Sequence, residues 1–139
     1  MLSDYASNAF LSHLGGNAQN VNICGSGCYV ALSKTEPKVD GTGVTEPDSA
    51  NGYKRALLGI PNQSATQKMG TPSGGNIKSK DIIYFPEATA AWGSCPYYAL
   101  FSAQTGGSLI AFGTLTSAIS PQAGTVPLIR AEELQMSIR

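Results

Sequence analysis

The sequence predicts a mainly β protein: a single antiparallel β-sandwich, jelly-roll-like, with one short N-terminal α-helix. Three observations lead there. The chain has 16 Gly and 8 Pro but only 13% charged residues, the composition of short strands joined by tight turns. Short apolar runs recur along it, bounded by Gly, Pro, Asn and Ser, and only the first segment carries helical spacing. At 139 residues and 42% hydrophobic it is too apolar for a disordered tail and long enough to bury a core. One domain over 1–139 is expected, with the helix in 1–16 and the sandwich over 28–139.

The elements follow in order. Ser3 is placed to cap a helix whose first turn carries Asp4, favourable at the positive end of the helix dipole. Ala6, Phe10 and Leu14 make one apolar stripe, and Gly15-Gly16 stops the helix. So short a helix is marginal alone, so it is expected to dock outside the sandwich core through Phe10, Leu14 and Leu2. Residues 17–27 read as an irregular connection. Strands are expected from Cys28 to Lys34 and from Tyr53 to Ile60, the latter ended by Pro61. Between them, 35–51 is a long polar loop stiffened by Pro37 and Pro47, of a length that is often functional or packed on a neighbour. After a loose stretch over 61–75, Asn76–Phe85 alternates imperfectly and reads as one strand. Tyr97–Ser102 and Leu109–Leu115 flank Ala103-Gln-Thr-Gly-Gly107, the best hairpin signal in the chain. Val126–Ile129 and Leu134–Ile138 are expected to close the chain as an antiparallel pair.

Composition also excludes function classes. A formal net charge of zero gives no basic face for a phosphate backbone, so no nucleic-acid partner is expected. No apolar run reaches the roughly 18 residues of a membrane span, so no membrane partner is expected. Met1-Leu-Ser-Asp4 lacks the basic and apolar regions of a signal peptide, which places synthesis in a cytoplasm. In that reducing compartment Cys24, Cys28 and Cys95 are expected to be unpaired thiols.

No residue carries a convincing catalytic role. His13, the lone histidine, sits beside the helix stripe with no serine or carboxylate placed for a triad, and reads as a packing side chain. Cys24-x-x-x-Cys28 invites zinc, but only Cys95 and His13 remain as further ligands, at no recognisable spacing. Glu36, Asp40, Glu46 and Asp48 cluster in one loop without the spacing of a calcium-binding EF-hand, and Glu36-Pro37 and Glu46-Pro47 read more simply as turn starters. Gly25-Ser-Gly27 and Gly106-Gly107 lack the lysine and following helix of a phosphate loop. Asp81, Glu87 and Glu132-Glu133 form no glycosidase-like carboxylate pair. Trp92, followed by Tyr97, Tyr98 and Phe101, can be a sugar-stacking platform. The simpler reading places Trp92 and alternate members of the Tyr97–Phe101 strand in the core, with only one face of that strand buried. No catalytic residue, metal or cofactor is therefore expected.

What stands out is a set of phrases in fixed order. Leu2-Ser-Asp-Tyr-Ala-Ser-Asn-Ala-Phe-Leu11 opens the chain, followed by Tyr29-Val-Ala-Leu32, Pro37-Lys-Val-Asp-Gly-Thr-Gly43 and Gly52-Tyr-Lys-Arg55. Phe85-Pro-Glu-Ala-Thr89 leads on to Trp92-Gly93, and Ala99-Leu-Phe-Ser-Ala-Gln-Thr-Gly-Gly107 completes the set. In these phrases the chain resembles short bacteriophage virion proteins known as phage tail fibre proteins, a tail-fibre-like and head-decoration-like family. Cys95-Pro-Tyr-Tyr98, Ser102 and the segment 130–139 depart from that pattern.

The resemblance implies a non-enzymatic virion structural protein, expected in the virion after assembly in the host bacterial cytoplasm. The chain has no shaft, heptads or glycine-repeat fibre, so the preferred expectation is a capsid decoration or cement protein on the head surface. Its expected partners are the major capsid protein or other virion proteins, and copies of itself as a homotrimer. The alternative is a tail-associated structural or receptor-binding protein.

Overall fold

In a computed structural model of the protein, residues 1–16 and 23–137 are described. Residues 17–22 of the expected irregular connection, and Ile138 at the end of the expected last strand, lie outside them. The fold is mainly β and antiparallel, with one α-helix, α1 (Asp4–Leu14). The strands are β1 (Cys28–Ser33), β2 (Ala56–Gly59), β3 (Asn76–Lys78), β4 (Ile83–Tyr84), β5 (Cys95–Phe101), β6 (Leu109–Ile119), β7 (Leu128–Ile129) and β8 (Gln135–Ser137). Short 3-10 turns occupy Ser49–Asn51 and Ser64–Thr66.

One sheet dominates, in the order β2-β1-β5-β6, and the β5–β6 hairpin has the turn that its sequence predicts. Two two-stranded ribbons, β3–β8 and β4–β7, supply the other strands. Two expectations are corrected here. Asn76–Phe85 is not one strand, because the chain bends between Lys78 and Ile83 and serves two different ribbons. The C-terminal strands do not pair with each other: β7 pairs with β4 and β8 with β3. Buried Ser79 organises the crossing. Its N–H donates to Leu134 O and its carbonyl accepts from Glu132 N, so long-range hydrogen bonds replace the local hairpin.

The main core lies on one face of the sheet, where Val30, Leu32, Tyr98 and Leu100 meet Ile83, Phe85, Trp92, Ile129 and Leu134. A second, smaller cluster occupies the opposite face: Ala31, Ala99, Phe101, Leu109 and Phe112, with Val44 of the 35–51 loop packed against it. The expectation that the Tyr97–Phe101 strand buries one face is therefore corrected. The loop covers the second face, and this is why β1 and β5 are almost continuously buried.

The N-terminus also departs from expectation. Residues 1–3 extend the sheet beyond β6, with Met1 and Phe112 exchanging backbone hydrogen bonds, Leu2 bridging Ala111, and Ser3 N donating to Ile110 O. Ser3 then caps α1 through its hydroxyl, as its position predicts. This added strand sets the rotation of the helix. Ala6 and Leu2 turn inward, while Phe10 is 49% and Leu14 66% exposed. The helix docks through Ala6 in its first turn, while the rest of the stripe, Phe10 and Leu14, faces outward.

The cysteines are corrected too. Cys24 and Cys28 are bonded as a disulfide, their Cα atoms 5.0 Å apart, whereas Cys95 is a buried free thiol. The tight Cys-Gly-Ser-Gly-Cys turn brings the pair within disulfide reach, a proximity that compartment alone does not reveal.

Gly113 provides a check on the packing. A Cβ there would lie 2.7–2.8 Å from the ring and hydroxyl of Tyr98, which is buried and donates to Gln135 O. Gly113→Ala is expected to lower stability by about 1–3 kcal/mol, as overpacking does. Urea denaturation reads the change, and an unshifted midpoint would contradict so close an approach.

Candidate interaction surfaces

Arg55 sits at the junction of three loops, with its side chain only 8% exposed. Its Nε donates to Glu46 Oε1 and one terminal nitrogen to Glu46 Oε2, both at 2.9 Å, a bidentate pair. The other terminal nitrogen donates to the carbonyls of Ala103 and Gly106, at 2.9 and 2.7 Å, in the β5–β6 turn. The guanidinium lies 3.7 Å from the centroid of the Phe101 ring, on the second sheet face. Tyr53 completes the set: its hydroxyl donates to Glu46 Oε1 at 2.6 Å and accepts from Leu32 N at 3.2 Å.

The electrostatics agree with this geometry. Burial by itself would raise the Glu46 carboxyl, but the hydrogen bonds from Arg55 and Tyr53 outweigh it and hold the group below the usual carboxylate range. Tyr53 is pushed well above the ordinary phenol value, first by burial and then by its hydrogen bond to Glu46 and that group's charge. Burial likewise pushes Tyr98 up to about 12 and raises the Cys95 thiol.

Trp92 extends the same cluster. Tyr53 and Phe85 both pack edge-on to it, at centroid distances of 5.2 and 6.5 Å, and its Nε1 donates to Asn51 O at 2.8 Å. Gly52 lets the backbone at Glu87 pass close beside this cluster. It is left-handed (φ +86°), and a Cβ there would fall 2.7 Å from Glu87 O. Trp92 is thus a core side chain and not an open stacking platform, as the simpler reading expects.

The remaining candidate residues are dispersed. Asp40 accepts from the backbone and hydroxyl of Thr42, and Asp48 caps the 3-10 turn at Ala50, while Glu46 is engaged with Arg55. Among the described residues no group of three or more His, Cys, Asp or Glu is placed to hold a metal ion. His13 lies on the exposed side of α1, and Glu132 makes an exposed ion pair with Lys78 at 3.5 Å. The 35–51 loop is internally bonded, with Lys34 N donating to Thr45 O and Lys38 N to Thr42 O, and both of its prolines are buried. The sequence does not by itself bring Arg55, Glu46 and Tyr53 together; the available signal was the pair of cations Lys54-Arg55 after Tyr53, following a loop with several acids.

Among the surfaces open on the described residues are three that differ in character. A cleft of about 560 Å³ lies beside Arg55, bordered by the polar side chains of Ser49, Lys54, Gln104 and Thr105. An apolar cleft of about 440 Å³ lies between the N-terminal strand and the β3–β8 ribbon. The third is the exposed apolar side of α1.

A family profile described as "Podophage GP4 fiber I protein gp80" matches residues 1–137. The chain belongs to this phage fiber family. It is accordingly a virion structural protein that associates with other virion proteins. No curated protein matches the chain. Among the described residues no helix is long and apolar enough to cross a membrane. The phrases at 29–32, 52–55, 85–93 and 99–107 meet in the cluster around Arg55 and Trp92, so much of what they encode is architecture.

The ion pair makes a quantitative expectation. Glu46→Ala strands the Arg55 charge in a site of low exposure. The loss should approach the about 3–5 kcal/mol of a broken buried pair, reduced because a quarter of the Glu46 side chain faces solvent. Since the folded carboxyl is held low, its contribution is complete above the ordinary Glu value of about 4.3 and disappears as pH falls through the folded value. The stability gap between wild type and Glu46→Gln should therefore narrow below about pH 4. A gap independent of pH, measured by denaturant melts, would show that the carboxylate charge is not its source.

Proposed function

We propose that the protein is a tail-associated structural component of the phage particle, acting as one domain over 1–139 and without enzymatic activity. The family match over 1–137 to a fiber protein carries this reading, and it favours the tail over the head-surface decoration expected from sequence. The chemistry of the chain is consistent with a structural role. Its ionisable cluster is consumed by internal hydrogen bonds, leaving Glu46 and Arg55 as braces rather than as an acid and a base. Copies of itself are among the partners, arranged as a closed trimer. Receptor binding is a second reading at the same location, favoured by the cleft beside Arg55 with its Lys54, Gln104 and Thr105 rim.

Copy number and position test the proposal. Averaged images of the particle should place the density at the tail, in a few to a few tens of copies. Hundreds of copies spread over the head would overturn it.

Attachment should rest on apolar burial and backbone hydrogen bonding, because the chain carries no net charge. Particles washed at about 1 M salt, where charges are screened beyond roughly 3 Å, should keep the protein. Release by salt alone, read on gels of pelleted particles, would make the attachment electrostatic.

A further inference from the structure

The Cys24–Cys28 bond joins two residues that the sheet does not need joined. β1, which Cys28 opens, is held by five register pairs with β5, from Tyr29–Phe101 to Ser33–Tyr97, and by β2 on its other edge. The turn in front of it is Gly25-Ser-Gly27, where Gly27 N donates to Cys24 O at 3.0 Å. Gly25 is left-handed (φ +58°) and lies against the end of β5, where a Cβ would fall 3.3 Å from Ser102 O. Glycines lose much backbone freedom when such a turn is fixed, and a cross-link between its ends removes that freedom in advance. The bond therefore tightens the turn rather than building the sheet, and the fold is compatible with either an open or a closed pair.

The sulfurs are also placed for exchange. Cys24 is half-buried, Gly25 and Ser26 beside it are exposed, and both cysteines border an open cleft of about 440 Å³ with Leu58, Ile60 and Lys80. Cys95 is the opposite case, fully buried with its thiol raised by burial. It starts β5, whereas Phe101 at the other end of that strand faces Tyr29. At about 3.3 Å per residue it lies roughly 20 Å along the sheet from the turn, out of reach of either sulfur.

We propose that Cys24 and Cys28 form a reversible redox staple, open as two thiols in the reducing interior of the cell that makes the protein and closed in the particle outside it. A virion protein, at tail or head alike, passes between those two environments. Closure is exchange with a small-molecule disulfide. The Cys24 thiolate attacks one of its sulfurs and expels a thiolate; the Cys28 thiolate then attacks the Cys24 sulfur of the mixed disulfide and expels the second. Two cysteine thiols are oxidised, one small disulfide is reduced to two thiols, and the cysteine protons end on those thiols. The open pair leaves the turn pliable during assembly, and the closed pair fixes it against β5 in the finished particle.

Counting thiols reads the state of the pair. Chain from acid-quenched cells that are making particles, denatured and treated with a maleimide polymer that shifts its gel mobility once per thiol, should carry adducts on all three cysteines. Chain from purified particles should carry one, on Cys95. One adduct in both samples, or three in both, would overturn the switch. Purified wild-type chain given reductant should keep its circular dichroism spectrum while its melting midpoint falls by roughly 5 °C or more. The fall should reach the midpoint of Cys24→Ser/Cys28→Ser, which reductant leaves unchanged. Loss of the folded spectrum on reduction would make the bond part of the fold and not a staple upon it. An unchanged midpoint, with both thiols shown free by alkylation, would mean that the bond tightens nothing; either result would overturn the proposal.

Discussion

The bidentate pair between Glu46 and Arg55 is the interaction on which most of this architecture depends. It joins the end of the 35–51 loop to the segment that leads into β2, and through Arg55 it also holds the carbonyls of the β5–β6 turn. A guanidinium is suited to this position because its planar fork satisfies a carboxylate on one side and backbone oxygens on the other. Its flat face then rests on Phe101 and closes the second sheet face, where an aliphatic side chain would leave the turn carbonyls without donors. One desolvated charge is thereby matched on every side, which is the condition for a buried ion to be tolerated.

This brace makes the long polar loop part of the fold. A sheet in which β1 and β5 are buried on both faces needs two coverings, and the chain supplies them unequally. The two ribbons with Trp92 and Phe85 cover one face with apolar side chains. The other is covered by a loop that has little apolar surface beyond Val39 and Val44, and depends on hydrogen bonds to stay in place. A fiber-family protein with so few charges thus holds its own loops by polar contacts, while Phe10, Leu11 and Leu14 stay exposed on α1.

Local signals were legible in proportion to how local their causes are. The Ser3 cap, the β5–β6 hairpin and the break at Pro61 follow from residues a few positions apart, and the structure has each of them. The mainly β class followed from turn-forming composition, and the core position of Trp92 from its neighbours. The strand over 76–85 was misread because the bend at Ser79–Asp81 is stabilised from the far end of the chain, by Leu134 and Glu132. The pairing of 126–129 with 134–138 failed for the same reason: short strands choose partners by the core they share, and Ile83 and Ile129 share one. The Cys24–Cys28 bond was hidden because the expectation rested on compartment and not on the approach of the two residues.

By itself, the sequence determined the class of protein, the single helix and its cap, the central hairpin, and the ordered phrases that tie the chain to a phage family. These depend on backbone preference, burial pattern and residue order, which are properties of neighbours along the chain. Only the tertiary structure decided that Glu46, Tyr53 and Arg55 form one unit, and that mid-chain strands pair with C-terminal ones in the ribbons. It also decided that residues 1–3 add to the sheet edge and so turn Phe10 and Leu14 outward. Helical periodicity reveals that a stripe exists, but the direction in which it points is set by where the chain enters the helix. Here that entry is fixed by backbone hydrogen bonds to β6, more than a hundred residues further along.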